Sequence, residues 1–197
     1  RVTMNRIWAL MFDTGIVETS EDFGMQSTMP SHPLLLDYLA AKFVSCGWDL
    51  QAMQKEIVTS ATYRQASDVT SDRLERDPRN RLFSRGPAFR LDAEMIRDNA
   101  LAVSGLLTQQ LGGPGVFPHQ PPGIFEQIHS FTTAWEKSSD GQQHRRALYT
   151  WWKRTAPYPS MITFDVPRRN VCVERRPRTN TPLQALVTLN DPVFVEC

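Results

Sequence analysis

The stretch SHPLLLDYLAAKFVSCGWDLQAMQKEIVTSATYRQ, residues 31–65, decides the fold class. Pro33 stands where the first helical turn tolerates a missing N–H, and Ser31 can accept a hydrogen bond from an orphan amide there. Leu35, Leu39, Phe43 and Cys46 then fall on one face, widened by Leu34 and Tyr38, until Gly47 closes the helix. Cys46 on that stripe reads as a small buried hydrophobe. Asp49 is placed to cap a second helix with Leu50, Met53, Ile57 and Ala61 along one side. A two-residue hinge, Gly47-Trp48, makes the pair an antiparallel hairpin with Trp48 packed against both helices.

The flanking sequence extends the helical pattern. Met4, Ile7, Trp8 and Met11, with Phe12 beside them, predict an N-terminal helix in which Gly15 supplies the left-handed terminating residue. A turn-rich connector follows, with Ile16-Val17 extended and Asp22 as a turn or cap residue. Residues 67–90 read as a polar linker or loop, with Phe83 and Phe89 about Gly86-Pro87. Asp92 predicts a capped helix over 91–115 whose Ile96, Ala100, Val103, Leu107 and Leu111 face the core, stopped by Gly112-Gly113-Pro114-Gly115. Glu94, Arg97 and Asp98 lie off that stripe, in solvent or aimed at a neighbouring arginine. RALYTWWKR, residues 146–154, predicts a strand with Tyr149 and Trp151 on one face and Leu148 and Trp152 on the other. Pro157, Pro159 and Pro167 bracket a short helix or bend. Thr181-Pro182 starts another with Leu183, Leu186 and Val187 inside, and Asn190-Asp191-Pro192 ends it and begins a last one. The expected fold is mainly α, one domain over 1–197: a bundle of about five helices with a short aromatic β strand or ribbon and long ordered loops. Its parts are a helical subregion (1–66), the linker (67–90), a helix (91–115) and a loop-rich cationic region with a C-terminal helix (116–197).

The chain has 197 residues, 41% hydrophobic and 10% aromatic, enough for one sizeable core or two small ones. A net charge of +1 excludes a surface devoted wholly to nucleic acid, and no nucleic-acid partner is expected. The charge is polarised: residues 1–60 carry 4 basic and 7 acidic side chains, and residues 145–197 carry 9 and 4. Only four of the 22 basic residues are lysine, a bias suited to fixed bidentate partners. The three cysteines, Cys46, Cys172 and Cys197, encode no disulfide framework or CxxC knuckle. No apolar run is long enough for a transmembrane segment, and the ends of the chain read as those of a fragment of a larger protein.

Residues 145–178 hold nine basic side chains against Asp165 and Glu174, a local charge of +7. Arg168, Arg169, Arg175, Arg176 and Arg178, with Tyr149 and Trp151, are the candidate binding residues, suited to a polyanion by charge and stacking. The alternative is that these arginines fasten loops through acids such as Glu94, Asp98 and Asp165, or meet the acidic N-terminal segment. For catalysis the candidates are Asp22, His32, Asp92 and Asp165, and that reading requires at least two of them to converge. Cys172 among arginines would be activated, but no histidine follows to pair with it. His119, His129 and His144 have no metal-ligand spacing, so no metal is expected. No phosphate loop, dinucleotide fingerprint or nucleophile elbow is present, and the CxxCH of a c-type haem site is absent.

The series RVTMNRIW, DTGIVETSEDFG, SHPLLLDYLAAKFV, SATYRQ, NRLF, RLDAEMIRDNALAVSG, RRALY, TFDVP and TPLQALVTLNDP, in order over nearly the whole chain, resembles the planctomycete-type C-terminal domain of unknown function, the planctomycete-specific PSD family. That domain is found behind cytochrome-C-like domains. The resemblance implies an exported, extracytoplasmic protein accompanying polysaccharide breakdown. Any haem would lie in an upstream region, leaving no cofactor in this chain. It supplies no catalytic residue set. Three readings follow: a non-catalytic accessory or binding domain that meets acidic polysaccharide or its own upstream domains, a hydrolase of glycans or their esters, or a spacer positioning the haem region.

Overall fold

The computed structural model describes residues 1–124, 135–139 and 141–197. These residues form eight α-helices and two 3₁₀ turns, and the chain divides into two compact units, Arg1–Phe89 and Arg90–Cys197. The division falls at the C-terminal edge of the linker expected over 67–90.

The first unit contains α1 (Val2–Phe12), α2 (Pro33–Ser45), α3 (Leu50–Thr59) and the short α4 (Ser71–Arg76). Met4, Ile7, Trp8 and Phe12 of α1 pack with Leu36, Leu39 and Phe43 of α2, Met53 and Ile57 of α3, and Phe83. Trp8 stacks on Phe12 with ring centroids 4.2 Å apart. Asp49 caps α3 as expected, accepting from the amides of Gln51 (2.9 Å) and Ala52 (3.0 Å). Gly47 and Trp48 both adopt positive φ in the hinge. Trp48 meets only the Phe43 ring among the described aromatic contacts and is 61% exposed, so it does not wedge between the two helices.

Several local expectations change. The left-handed residue after α1 is Asp13 (φ 69°), and Gly15 has another purpose. Asn5 is buried on α1; its Oδ1 accepts from Val17 N (2.8 Å) and its Nδ2 donates to Val17 O (3.0 Å), so the side chain mimics one rung of a β ladder. A Cβ on Gly15 would stand 2.5 Å from Val17 O and 2.6 Å from Asn5 Nδ2. Ser31 does not cap α2; its amide and hydroxyl both donate to Ile16 O, and His32 occupies the N-cap position. On α2 the expected Leu39 and Phe43 are buried, with Leu35 and Cys46 partly buried against the same core, but the face widens through Leu36 and not through Leu34 and Tyr38, which are exposed. Leu50 and Ala61 are likewise exposed beside the buried Met53 and Ile57. The polar 67–81 segment contains α4, capped by Thr70, and then a turn organised by the buried Asp77, whose carboxylate accepts from the amides of Arg81 (2.7 Å) and Leu82 (2.6 Å).

The second unit contains α5 (Ala93–Val103), the 3₁₀ turns Gln142–His144 and Ala147–Tyr149, α6 (Pro159–Thr163), α7 (Pro182–Asn190) and α8 (Pro192–Glu196). Its core joins Ala93, Ala147, Tyr158, Met161, Phe164 and Val166, with Ile96, Trp152, Val187 and Phe194 partly buried against it. The expected 91–115 helix ends at Val103, followed by Gly105 at φ 80°. Its buried face is Ala93, Arg97 and Leu101, while Val103 and Leu111 are exposed. Asp92 sits at the N-cap position without a side-chain capping bond. The expected strand over 146–154 is not formed among the described residues. The 3₁₀ turn Ala147–Tyr149 takes its place, and Val116 makes an isolated bridge to Thr150 through Val116 N–Tyr149 O and Trp151 N–Val116 O bonds of 2.8 Å. In α7, Leu183 and Leu186 are exposed and Gln184 is the buried residue. Asp191 ends α7 and caps α8, its Oδ1 accepting from Val193 N at 2.9 Å.

Candidate functional site

The cationic residues of the second unit fall into three groups. The first is buried. Arg145 has no exposed surface; its guanidinium donates to the carbonyls of Pro114 (3.0 Å), Gln110 (3.2 Å) and Gly112, and lies 3.9 Å over the Tyr149 ring. Tyr149 Oη accepts from Gly112 N at 2.8 Å. Arg97 is also buried and donates to Gln143 O at 2.6 Å. These cations order the glycine-rich turn and the loop beside α5 by filling carbonyl acceptors that burial would otherwise strand.

The second group fastens loops. Arg90 Nη2 lies 2.5 Å from Asp165 Oδ2, which also accepts from Thr179 N at 2.8 Å. The Thr179 hydroxyl lies 2.9 and 3.0 Å from the two carboxylate oxygens and accepts from the buried Gln184 Nε2 at 3.1 Å. Gln184 Nε2 reaches Thr163 O as well (3.0 Å), and its Oε1 accepts from Thr181 N (3.4 Å). Arg176 pairs with Glu94 at 2.6 Å and Asp92 at 3.7 Å, and Arg178 Nε lies 3.5 Å from Asp92. Asp98 accepts from Arg146 Nε (3.1 Å) and Ala147 N (2.6 Å). Asp165, Asp92 and Glu94, which receive Arg90, Arg176 and Arg178 in these pairs, belong to the second unit.

The third group is displayed. Segment 166–180 leaves the core at Val166 and is tied back at 176–179, and between these points Arg168, Arg169 and Arg175 are exposed. Arg168 and Arg175 form no ion pair among the described residues. Arg169, at φ 60°, places its guanidinium 4.6 Å over the Trp152 ring. Val171 and Cys172 are exposed at the crown.

Set against the sequence-derived candidates, the five loop arginines divide into fasteners (Arg176, Arg178) and displayed cations (Arg168, Arg169, Arg175). Tyr149 is occupied by Arg145. Trp151 stacks on Phe117 (5.3 Å) and meets Trp135 (6.1 Å). The aromatic residue beside the loop arginines is Trp152, placed by the strand pattern on the opposite face from Tyr149 and Trp151. Its adjacency to Arg169 had no signal in the sequence, because it arises from the turn at 154–165 rather than from any local period.

Asp22 and His32 lie in the first unit. Asp22 Oδ1 accepts from Gly24 N (3.1 Å) in a tight turn, and the His32 ring rests 5.3 Å from Phe83 with Nδ1 3.0 Å from Ser31 Oγ. Asp92 and Asp165 meet the adjacent residues Arg178 and Thr179, each as an acceptor for fastening groups. Among the described residues no group of three or more His, Cys, Asp or Glu side chains is arranged to hold a metal ion. His119 supplies a carbonyl to the Tyr158 hydroxyl (2.7 Å), His144 Nε2 lies 3.3 Å from Glu196, and His129 lies outside the described residues. Burial pushes the Tyr158 phenol up to about 12. Among the described residues no helix is long and apolar enough to cross a membrane.

No curated protein and no solved structure matches the chain. The family model described as PSD1, protein of unknown function (DUF1553), matches residues 1–197 from end to end, and the chain therefore belongs to that family.

Proposed function

We propose that this chain is a non-catalytic binding domain whose second unit takes an anionic glycan on the 168–175 surface. The observation that carries the reading is the division of labour among neighbouring arginines. Arg176 and Arg178 are spent on Asp92 and Glu94, whereas Arg168 and Arg175 stay exposed on the loop those pairs hold in place. A cation fixed in position by a neighbour's ion pair loses less side-chain and loop entropy on meeting a ligand, which favours binding. The candidate carboxylates support a non-catalytic role, since Asp22, Asp92 and Asp165 are each engaged by a turn amide or a fastening group. The family resemblance supplies the setting: an exported, extracytoplasmic protein active alongside polysaccharide breakdown, with the upstream domains, including a haem-bearing region, as further partners.

Isothermal titration with sulfated and uronic-acid oligosaccharides tests this. Binding is expected to weaken roughly tenfold in Arg168→Ala/Arg175→Ala and to fall with added salt, as exposed charge contacts do. Absence of heat with every acidic glycan, or binding indifferent to both arginines, would sink the proposal.

A further inference from the structure

We infer that Trp152 and Arg169 together form a stacking subsite for a carboxylated pyranose ring, an inference that rests on the anionic-glycan reading above. Trp152 is held edge-on: its Nε1 is buried without a hydrogen-bond partner, and the ring packs against the core that contains Ala93 and Val166. The ring is only partly buried, and the Arg169 guanidinium stands over it at 4.6 Å. That cover is light. A cation–π contact at an exposed site is among the weaker contacts in a protein, and Arg169 stands in the left-handed region, which costs a non-glycine residue backbone energy. A ligand offering an apolar ring face to Trp152 and a planar carboxylate to the guanidinium replaces the cover with two better-matched contacts.

The chemical class follows from that pair of demands. A pyranose presents an apolar face of C–H groups to an indole, and a carboxylate is planar and matches the guanidinium fork in two parallel hydrogen bonds. A uronate carries both on one ring. Arg168 is adjacent in sequence and Arg175 is exposed on the same loop, positions suited to the charges of neighbouring rings along a chain.

The probe is a hexamer of galacturonic acid, with its methyl-esterified counterpart and a sulfated oligosaccharide as comparisons, titrated by calorimetry and by tryptophan emission. In the wild type the acid hexamer is expected to bind in preference to the ester, with a saturable emission change. Trp152→Leu should weaken acid binding about tenfold and remove that change, and Trp152→Phe, which keeps a ring against the core, should fall between. Arg169→Gly, relieved at φ 60°, should fold and lose part of the preference for acid over ester, Arg168 and Arg175 carrying the remainder. Unchanged affinity in Trp152→Leu or Trp152→Phe would overturn the subsite and leave the anionic-glycan reading standing. Equal losses for the sulfated and uronic probes in Arg169→Gly would overturn the assignment to a carboxylate. Failure of the wild type to bind any acidic glycan would overturn both.

Discussion

Replacing Arg145 by methionine keeps an unbranched apolar stem and deletes the guanidinium that collects the carbonyls of Gln110, Gly112 and Pro114. Hydrogen bonds to a charged group contribute ~1.5–3 kcal/mol each, so three of them amount to roughly 4–9 kcal/mol gross. Against this stands the relief of desolvating a buried cation, several kcal/mol, together with partial rehydration of a turn whose residues are exposed. The stacking on Tyr149 is lost as well. The net loss expected is about 2–4 kcal/mol, which for a chain of this size lowers the melting temperature by roughly 5–15 °C. Arg145→Lys should retain only part, because an ammonium cannot present a planar fork to three spread acceptors. Urea and thermal unfolding of the two variants, with the displayed Arg168→Met as a control expected within about 0.5 kcal/mol of wild type, provide the assay. If Arg145→Met unfolds where Arg168→Met does, the buried guanidinium is not what organises the glycine-rich turn.

Three further outcomes are expected. Tyr158 is held protonated by burial up to about 12, against an ordinary value near 10, so the folded state keeps the proton longer than the unfolded chain. Its contribution is full below pH ~10 and is lost as pH rises toward 12, by up to roughly 3 kcal/mol, a loss Tyr158→Phe should remove; identical alkaline slopes in the two proteins would refute this. In the first unit, Asn5→Ala leaves the amide and carbonyl of Val17 dry and should cost ~2–4 kcal/mol in urea unfolding. Gly15→Ala should cost at least as much, since its Cβ collides with a backbone oxygen as well as with Asn5.

The helices themselves were legible from capping and punctuation. Asp49, Thr181-Pro182 and Asp191-Pro192 each begin a helix where backbone chemistry says one should begin. The core side of these helices is not simply their apolar side. In α5 the buried row includes Arg97, and in α7 it is Gln184, so apolar periodicity pointed at faces where Val103, Leu183 and Leu186 meet solvent. Tertiary hydrogen bonding, invisible to periodicity, set the rotation of these helices. The RALYTWWKR segment failed for a related reason: its aromatic residues satisfy strand propensity, but Asp98 captures the Ala147 amide and the chain turns. At the candidate site, the excess of arginine was plain in composition. Which arginines are spent and which are displayed depends on acids more than 70 residues away, as with Arg176 and Glu94.

The motifs on which the chain resembles the family include many of the fastening points. RRALY holds Arg145 and Arg146, TFDVP holds Asp165, TPLQAL holds Gln184 and MNRIW holds Asn5, so these motifs carry contacts that hold the two units' loops in place.

Asp165 illustrates how narrow such a signature becomes. Its backbone lies at φ 63°, where only glycine, asparagine and aspartate sit readily, and its side chain must accept from Arg90 and from both the amide and hydroxyl of Thr179. Glycine meets the first demand and fails the second, glutamate the reverse, and asparagine brings an N–H toward cations. Two independent filters, one steric and one electrostatic, intersect at a single residue type, so every substitution at this position gives up either the backbone conformation or the fastening contacts.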